Sequence, residues 1–190
     1  MKRTERDFIA LFNALWYRDF PLSANHKTMG GRAEWTTHIG ICVRACADLL
    51  GYFTYFEQGL RTDAIIRNNK DEDIAHIEWE WKQPFNEKVN EIEKLHNERK
   101  GTIFSVFISY SKIANVEKNM NAIQKQWGQG AEALLVFLVT YSTSKRKRHF
   151  DKLNTYVCQR GKLKKLRSQP ALPWKVQGSR WETEQNINCD

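Results

Sequence analysis

Long apolar runs are missing from this chain. No stretch approaches the roughly 20 apolar residues that a helix needs to cross a bilayer. The first residues, Met1 to Arg6, are mostly polar or charged and no apolar signal segment follows them, so export is not expected. Cysteine is sparse. The four present (Cys42, Cys46, Cys158 and Cys189) include no CxxC pair, which points to reduced thiols in a cytoplasm-like compartment. Acidic residues are outnumbered, 22 against 30 lysines and arginines, for a formal charge of +8. Internal repeats and low-complexity linkers are also absent, and 190 residues fit one domain.

What is present suits a core: 41% of residues are hydrophobic and 12% aromatic. The positive excess is uneven. Lys145, Arg146, Lys147, Arg148, Lys152, Arg160, Lys162, Lys164, Lys165 and Arg167 cluster with Asp151 as the one acid among them. Such a run can follow a phosphate backbone by counterion release, or it can be a solvated face.

Hydrophobic spacing predicts a helix over 5–19, through Phe8, Leu11, Phe12, Leu15 and Trp16, and a second over 34–50 stopped by Gly51. Residues 52–57, 61–67 and 74–82 read as a meander of three strands, with a polar turn over 68–73 and Pro84 closing the last. A charged helix over 85–99 follows, with Val89, Ile92 and Leu95 as its buried stripe. The near-continuous apolar runs 101–110 and 133–141 read as covered strands joined by a helix over 116–127, a right-handed crossover. Beyond them a helix around 150–157 is expected, and the basic tail has no assignment. The order implies an α/β fold, a mixed central sheet of about five strands flanked by helices.

The stretch Ile74–Lys82 carries the chemistry. On a strand, Ala75, Ile77, Trp79 and Trp81 share one face, while His76, Glu78, Glu80 and Lys82 share the other. Aromatic residues then pack inward while acids line up beside a lysine. That costs desolvation unless a divalent cation sits there to repay it. Asp63, on the preceding strand, can be brought beside Glu80 by the hairpin through 68–73. Two carboxylates holding Mg²⁺, with a lysine near the attacking water, are what phosphodiester hydrolysis needs. Glu78 leaves an ambiguity, since Glu78 and Glu80 could themselves be the carboxylate pair.

Thr62-Asp63, a hairpin, then Glu80-Trp81-Lys82, resembles the PD-(D/E)xK nuclease motif, with Thr62 where the family has proline. The likeness covers roughly 34–142, leaving 143–190 as a basic extension of the single domain 1–190. It implies a restriction endonuclease-like fold in which Asp63, Glu80 and the Trp81 backbone carbonyl hold Mg²⁺ and Lys82 acts on the water. Glu34 would be an accessory acid on the preceding helix, and Glu78 a second accessory carboxylate. Within the family the chain resembles the small catalytic subunit of a heterodimeric, nicking-type type IIS restriction enzyme of the prokaryotic cytoplasm. That implies cleavage of one strand of double-stranded DNA, with a larger recognition subunit or a second copy as partner and Lys145–Arg148 as DNA contacts. A junction resolvase-like homodimer and a non-catalytic basic binding module stand as alternatives.

Other features read more plainly. His38, Cys42 and Cys46 fall on one helix face without a signalled fourth zinc ligand, and core thiols are expected. The loop 23–32 is polar and glycine-containing, and 174–181 reads either as a docking segment or as packed terminus.

Overall fold

Phe8, Phe12, Leu15 and Trp16 recur at helical spacing and form the buried stripe of helix α1 (Arg3–Arg18). The computed structural model describes residues 1–18, 20, 32–58, 62–85, 90–144 and 147–179. Helix α2 (Arg32–Leu49) buries Trp35, Ile39, Cys42, Val43 and Cys46. It stops at Gly51, whose φ of 77° is a left-handed conformation that costs glycine nothing. Cys42 and His38 lie in this core as nonpolar packing would have them. The Cys42 thiol is 3.6 Å from the Leu15 carbonyl, and His38 meets the Trp16 ring edge-on.

Strands β1 (Phe53–Gln58), β2 (Thr62–Arg67) and β3 (Asp73–Glu80) form the expected antiparallel meander. Helix α3 (Asn90–Glu98) leads to β4 (Phe104–Lys112), and helix α4 (Val116–Trp127) leads to β5 (Ala133–Ser144). Both crossovers make parallel pairs. β6 (Lys147–Gln159) pairs antiparallel with β5, and β7 (Lys162–Pro170) antiparallel with β6. The architecture is α/β: a mixed sheet of seven strands in sequential order, among the described residues, flanked by helices on both faces.

Seven strands replace the expected five, and the expected helix over 150–157 is strand β6. The error has a local cause. In β6 both Asp151 and Lys152 oppose Thr140, a bulge that puts Phe150 and Leu153, three residues apart, on the same face. Three-residue spacing of apolar groups then imitates a helix. The Thr140 hydroxyl holds the bulge, accepting from the Lys152 N–H at 3.1 Å and donating to the Lys152 carbonyl at 3.2 Å. A second irregularity, where Thr155 pairs with Arg167 and Tyr156 with Lys165, similarly disguises β7.

The sheet has two unlike covers. On one face α1 and α2 pack aromatic residues against it, with the Phe12 and Phe137 rings 4.1 Å apart and Trp16 stacked on Trp35. On the other, Ile92, Leu95, Met120, Ile123 and Trp127 of α3 and α4 cover Phe107, Leu134, Val136 and Leu138. Trp174, from the segment 174–181, packs on the first core beside Phe20. The loop 23–32 lies outside the described residues apart from the first residue of α2, as do Val89 and Cys189. Among the described residues no helix is long and apolar enough to cross a membrane.

Candidate active site

The ladder between β2 and β3 pairs Ala64 with Ile77 and runs from there back to the turn. β3 continues beyond that point against β4, to Glu80 opposite Ser109. At the mouth of this splay the side chain of Asp63 does what a strand carbonyl would do, accepting the Trp79 N–H at 2.8 Å. Behind it lies a cavity of about 340 Å³. Asp63, Glu78 and Glu80 reach it from the strands, Glu91 and Lys94 from α3, and Thr36 from α2.

Alternation along β3 gives the expected division of faces. Ala75 and Ile77 are buried and Trp79 and Trp81 half-buried on the α1/α2 side, whereas His76 and Glu78 are buried on the other. Trp81 stacks flat on Tyr110, ring centroids 3.9 Å apart, which fixes the end of β3 beside the cavity. The register brings Asp63 against Glu78, close enough for each carboxyl to shift the other's protonation. Burial pushes Glu78 up to about 8, against the relieving effect of Lys94, and the neighbouring Asp63 charge adds to the rise. Burial raises Asp63 as well, offset in part by the Trp79 N–H and by the neighbouring Glu78 carboxyl. Lys94 Nζ lies 2.5 Å from Glu78 Oε1.

Glu80 lines the same cavity and its charge acts on Asp63. Its Oε1 accepts the Trp81 N–H at 2.6 Å and the Lys82 N–H at 3.0 Å, so the backbone turn that ends β3 aims this carboxylate. Lys82 itself is exposed and outside the cavity lining, although its charge reaches Glu91. Glu91 is raised first by burial and further by the charges of Glu80 and Asp63. Asp63, Glu78 and Glu80 are therefore together, Lys82 stands at the rim, and Lys94 occupies the interior position. Glu34 is half-buried on α2, and Thr36 rather than Glu34 lines the cavity. His76 is held between Asp73, 2.9 Å away, and Glu98, 3.5 Å away, a bonded position rather than a free base.

Of the basic run, Lys145 and Arg146 lie outside the described residues, as does the side chain of Lys147. Arg148 sits over the Trp81 and Tyr141 rings, 6.0 and 5.1 Å from their centroids, placing a cation beside the cavity's aromatic wall. Lys94 and Glu91 escaped the sequence reading because nothing in a charged helix marks which polar residues turn inward. Their one signal is position, beside Ile92 and Leu95 on the helix that follows the acidic strand. Among the described residues no group of three or more His, Cys, Asp and Glu is arranged as a ready-made metal cage.

No protein-family model and no curated protein matches this chain. Among solved structures, weak likeness extends to the YaeQ protein of Pseudomonas syringae, 14% identical with a TM-score of 0.30, covering 67% of this chain and 74% of that one. The YaeQ protein of Xanthomonas axonopodis pv. citri is 11% identical with a TM-score of 0.27, covering 63% and 70%. Similarity of this degree carries no conclusion about family or activity.

Proposed function

We propose that this chain is a Mg²⁺-dependent DNA endonuclease that hydrolyses a phosphodiester bond of one strand, in the manner of a PD-(D/E)xK restriction enzyme. The observation that carries the reading is the convergence of Asp63, Glu78, Glu80, Glu91 and Lys94 on one cavity, with Asp63 and Glu78 side by side. A buried carboxyl set against a second acid is a place where a bound cation offsets both the burial and the repulsion. The donor set is all oxygen, which suits a hard ion. Asp63, Glu78 and Glu80 would hold it, with the Trp81 backbone carbonyl as a further ligand. When bound, Mg²⁺ supplies charge neutralisation at the scissile phosphate and acidifies water.

The chain's own residues divide the remaining work. Glu78 gives up its proton as the site is loaded, and Lys94 keeps the resulting carboxylate aimed into the cavity. Lys94 also stands where an amine orients the attacking water or steadies charge on the phosphate, a role the motif gives to Lys82 at the rim. Arg148 on its aromatic shelf is placed to meet the phosphate backbone. One chain supplies one such site, so cutting both strands calls for a larger recognition subunit or a second copy.

A second reading, a basic binding module without chemistry, is favoured by β7, an edge strand exposing Lys162, Lys164, Lys165 and Arg167. Plasmid nicking separates the two. Wild type with Mg²⁺ is expected to nick supercoiled DNA and to stop when EDTA is added. Asp63→Ala is expected to lose at least about a thousandfold in rate, roughly 4 kcal/mol of barrier, while still binding DNA. Nicking by Asp63→Ala at the wild-type rate would end the nuclease reading.

A further inference from the structure

Beside the acidic cavity, and sharing Asp63, Thr36 and Trp79 with it, runs a groove of about 460 Å³ between α2 and the β1 edge. That is within the roughly 300–1,000 Å³ of ligand-binding pockets. Its helical wall is one face of α2, where Thr36, Gly40 and Arg44 recur every four residues. Its other wall is Phe56, an aromatic ring left 41% exposed on the edge strand. The ring lies over Gly40, its nearest atom 3.6 Å from where a Cβ would stand. Glu57, next along, has a φ of 53°, a left-handed backbone that a non-glycine residue adopts at a cost and that marks this wall as specially shaped. Among the described residues no ion pair engages Arg44.

Resting on the nuclease reading, we infer that this groove binds an unpaired nucleotide of the strand being cut, adjoining the scissile phosphate. Three side chains of the groove match parts of a nucleotide. Phe56 offers a face for base stacking, the exposed Ile41 adds apolar surface and Arg44 is a cation for the neighbouring phosphate. Asp63, common to both spaces, joins the groove to the reacting site. A base inside a duplex is already paired and stacked on both sides and has no face to offer Phe56. The substrate class is therefore DNA with a single-stranded segment at the cut: an overhang, a flap or a locally melted site. The net charge of +8 favours a polyanionic occupant over a second copy of a chain with the same charge.

The test is binding without turnover. A single-stranded octadeoxynucleotide carrying 2-aminopurine is titrated into the full chain in EDTA, beside the same sequence as duplex. Stacking quenches the probe, so quenching on binding, with tighter binding of the single strand, is expected. Phe56→Ala is expected to weaken single-strand binding about tenfold and to abolish the quench, and Phe56→Tyr to keep both. Arg44→Ala is expected to lower the salt dependence by about one phosphate contact. Duplex bound as tightly as single strand, or Phe56→Ala without effect, overturns the groove assignment. So does a dimer that Phe56→Asp dissociates, since a second copy would then occupy the groove. The two proposals fail separately: nicking with no Phe56-dependent binding removes the groove alone, and Phe56-dependent quenching with no nicking under Mg²⁺ removes the nuclease.

Discussion

The two layers that sandwich the sheet differ in kind, although strand β3 contributes to both. Against α1 and α2 it sets Ala75, Ile77, Trp79 and Trp81 into a dense aromatic core. Towards α3 it sets His76, Glu78 and Glu80, of which the last two enter a cavity with buried acids and a lysine. The lesson is that the polar side borrows its rigidity from the apolar one. Because successive side chains point to opposite faces, stacking Trp81 on Tyr110 also fixes where Glu80 points, and burying Ile77 does the same for Glu78. The carboxylates can be strained together without loosening the fold, since the other layer holds the strand.

The largest effect should come from attacking the apolar layer. Trp16→Ala removes a fully buried indole and should cost about 3–5 kcal/mol, read as a drop in thermal midpoint of about 2–4 °C per kcal/mol. Glu78→Gln, equally buried, should leave the midpoint unchanged or higher, because it removes a carboxyl that burial disfavours in its charged form. If both variants melt alike, the division of labour between the layers is wrong. Next in size is the comparison of the two lysines. Lys94→Met is expected to lower the cleavage rate about a hundredfold, and Lys82→Ala by less than tenfold. The reverse order would return the working amine to the rim.

The smallest effect concerns pH. Asp63 and Glu78 hold protons more firmly in the folded chain than in the unfolded one, Glu78 up to about 8. The folded state therefore has its full advantage below the ordinary carboxylate range and loses it as pH climbs towards 8. In EDTA the thermal midpoint should fall by a few degrees between pH 5 and 8, and Mg²⁺ should restore it at pH 8. In Glu78→Gln the decline should be shallower. A midpoint that rises over this range would contradict the buried-pair assignment.

Much of this was legible in the residues and some was not, for reasons that can be located. The meander, the crossovers and the inward tryptophans follow from spacing alone. The partner of Asp63 does not. Reflecting the hairpin about the pair Arg67–Asp73 would set residue 63 opposite Ile77, but a bulge at Ile66/Arg67 shifts the register by one and delivers Glu78 instead. A single extra residue thus decides which carboxylates meet, and no side-chain pattern announces it. The same device hid β6. Lys94 was invisible for another reason: its role depends on how α3 docks, a tertiary matter.

The first helix and the last strand are stitched together. The Trp16 indole donates to the Ala171 carbonyl across 155 positions of sequence, the Tyr17 hydroxyl to that of Pro170, and Gln169 to the Asn13 carbonyl. The aromatic stripe of α1 already rests on Trp35, Phe104 and Phe137, and these three bonds add a clasp at the far edge of the sheet. Removing residues 162–171 should break all three bonds and leave the buried Trp16 indole N–H without its acceptor, and such a shortened chain is expected in the insoluble fraction.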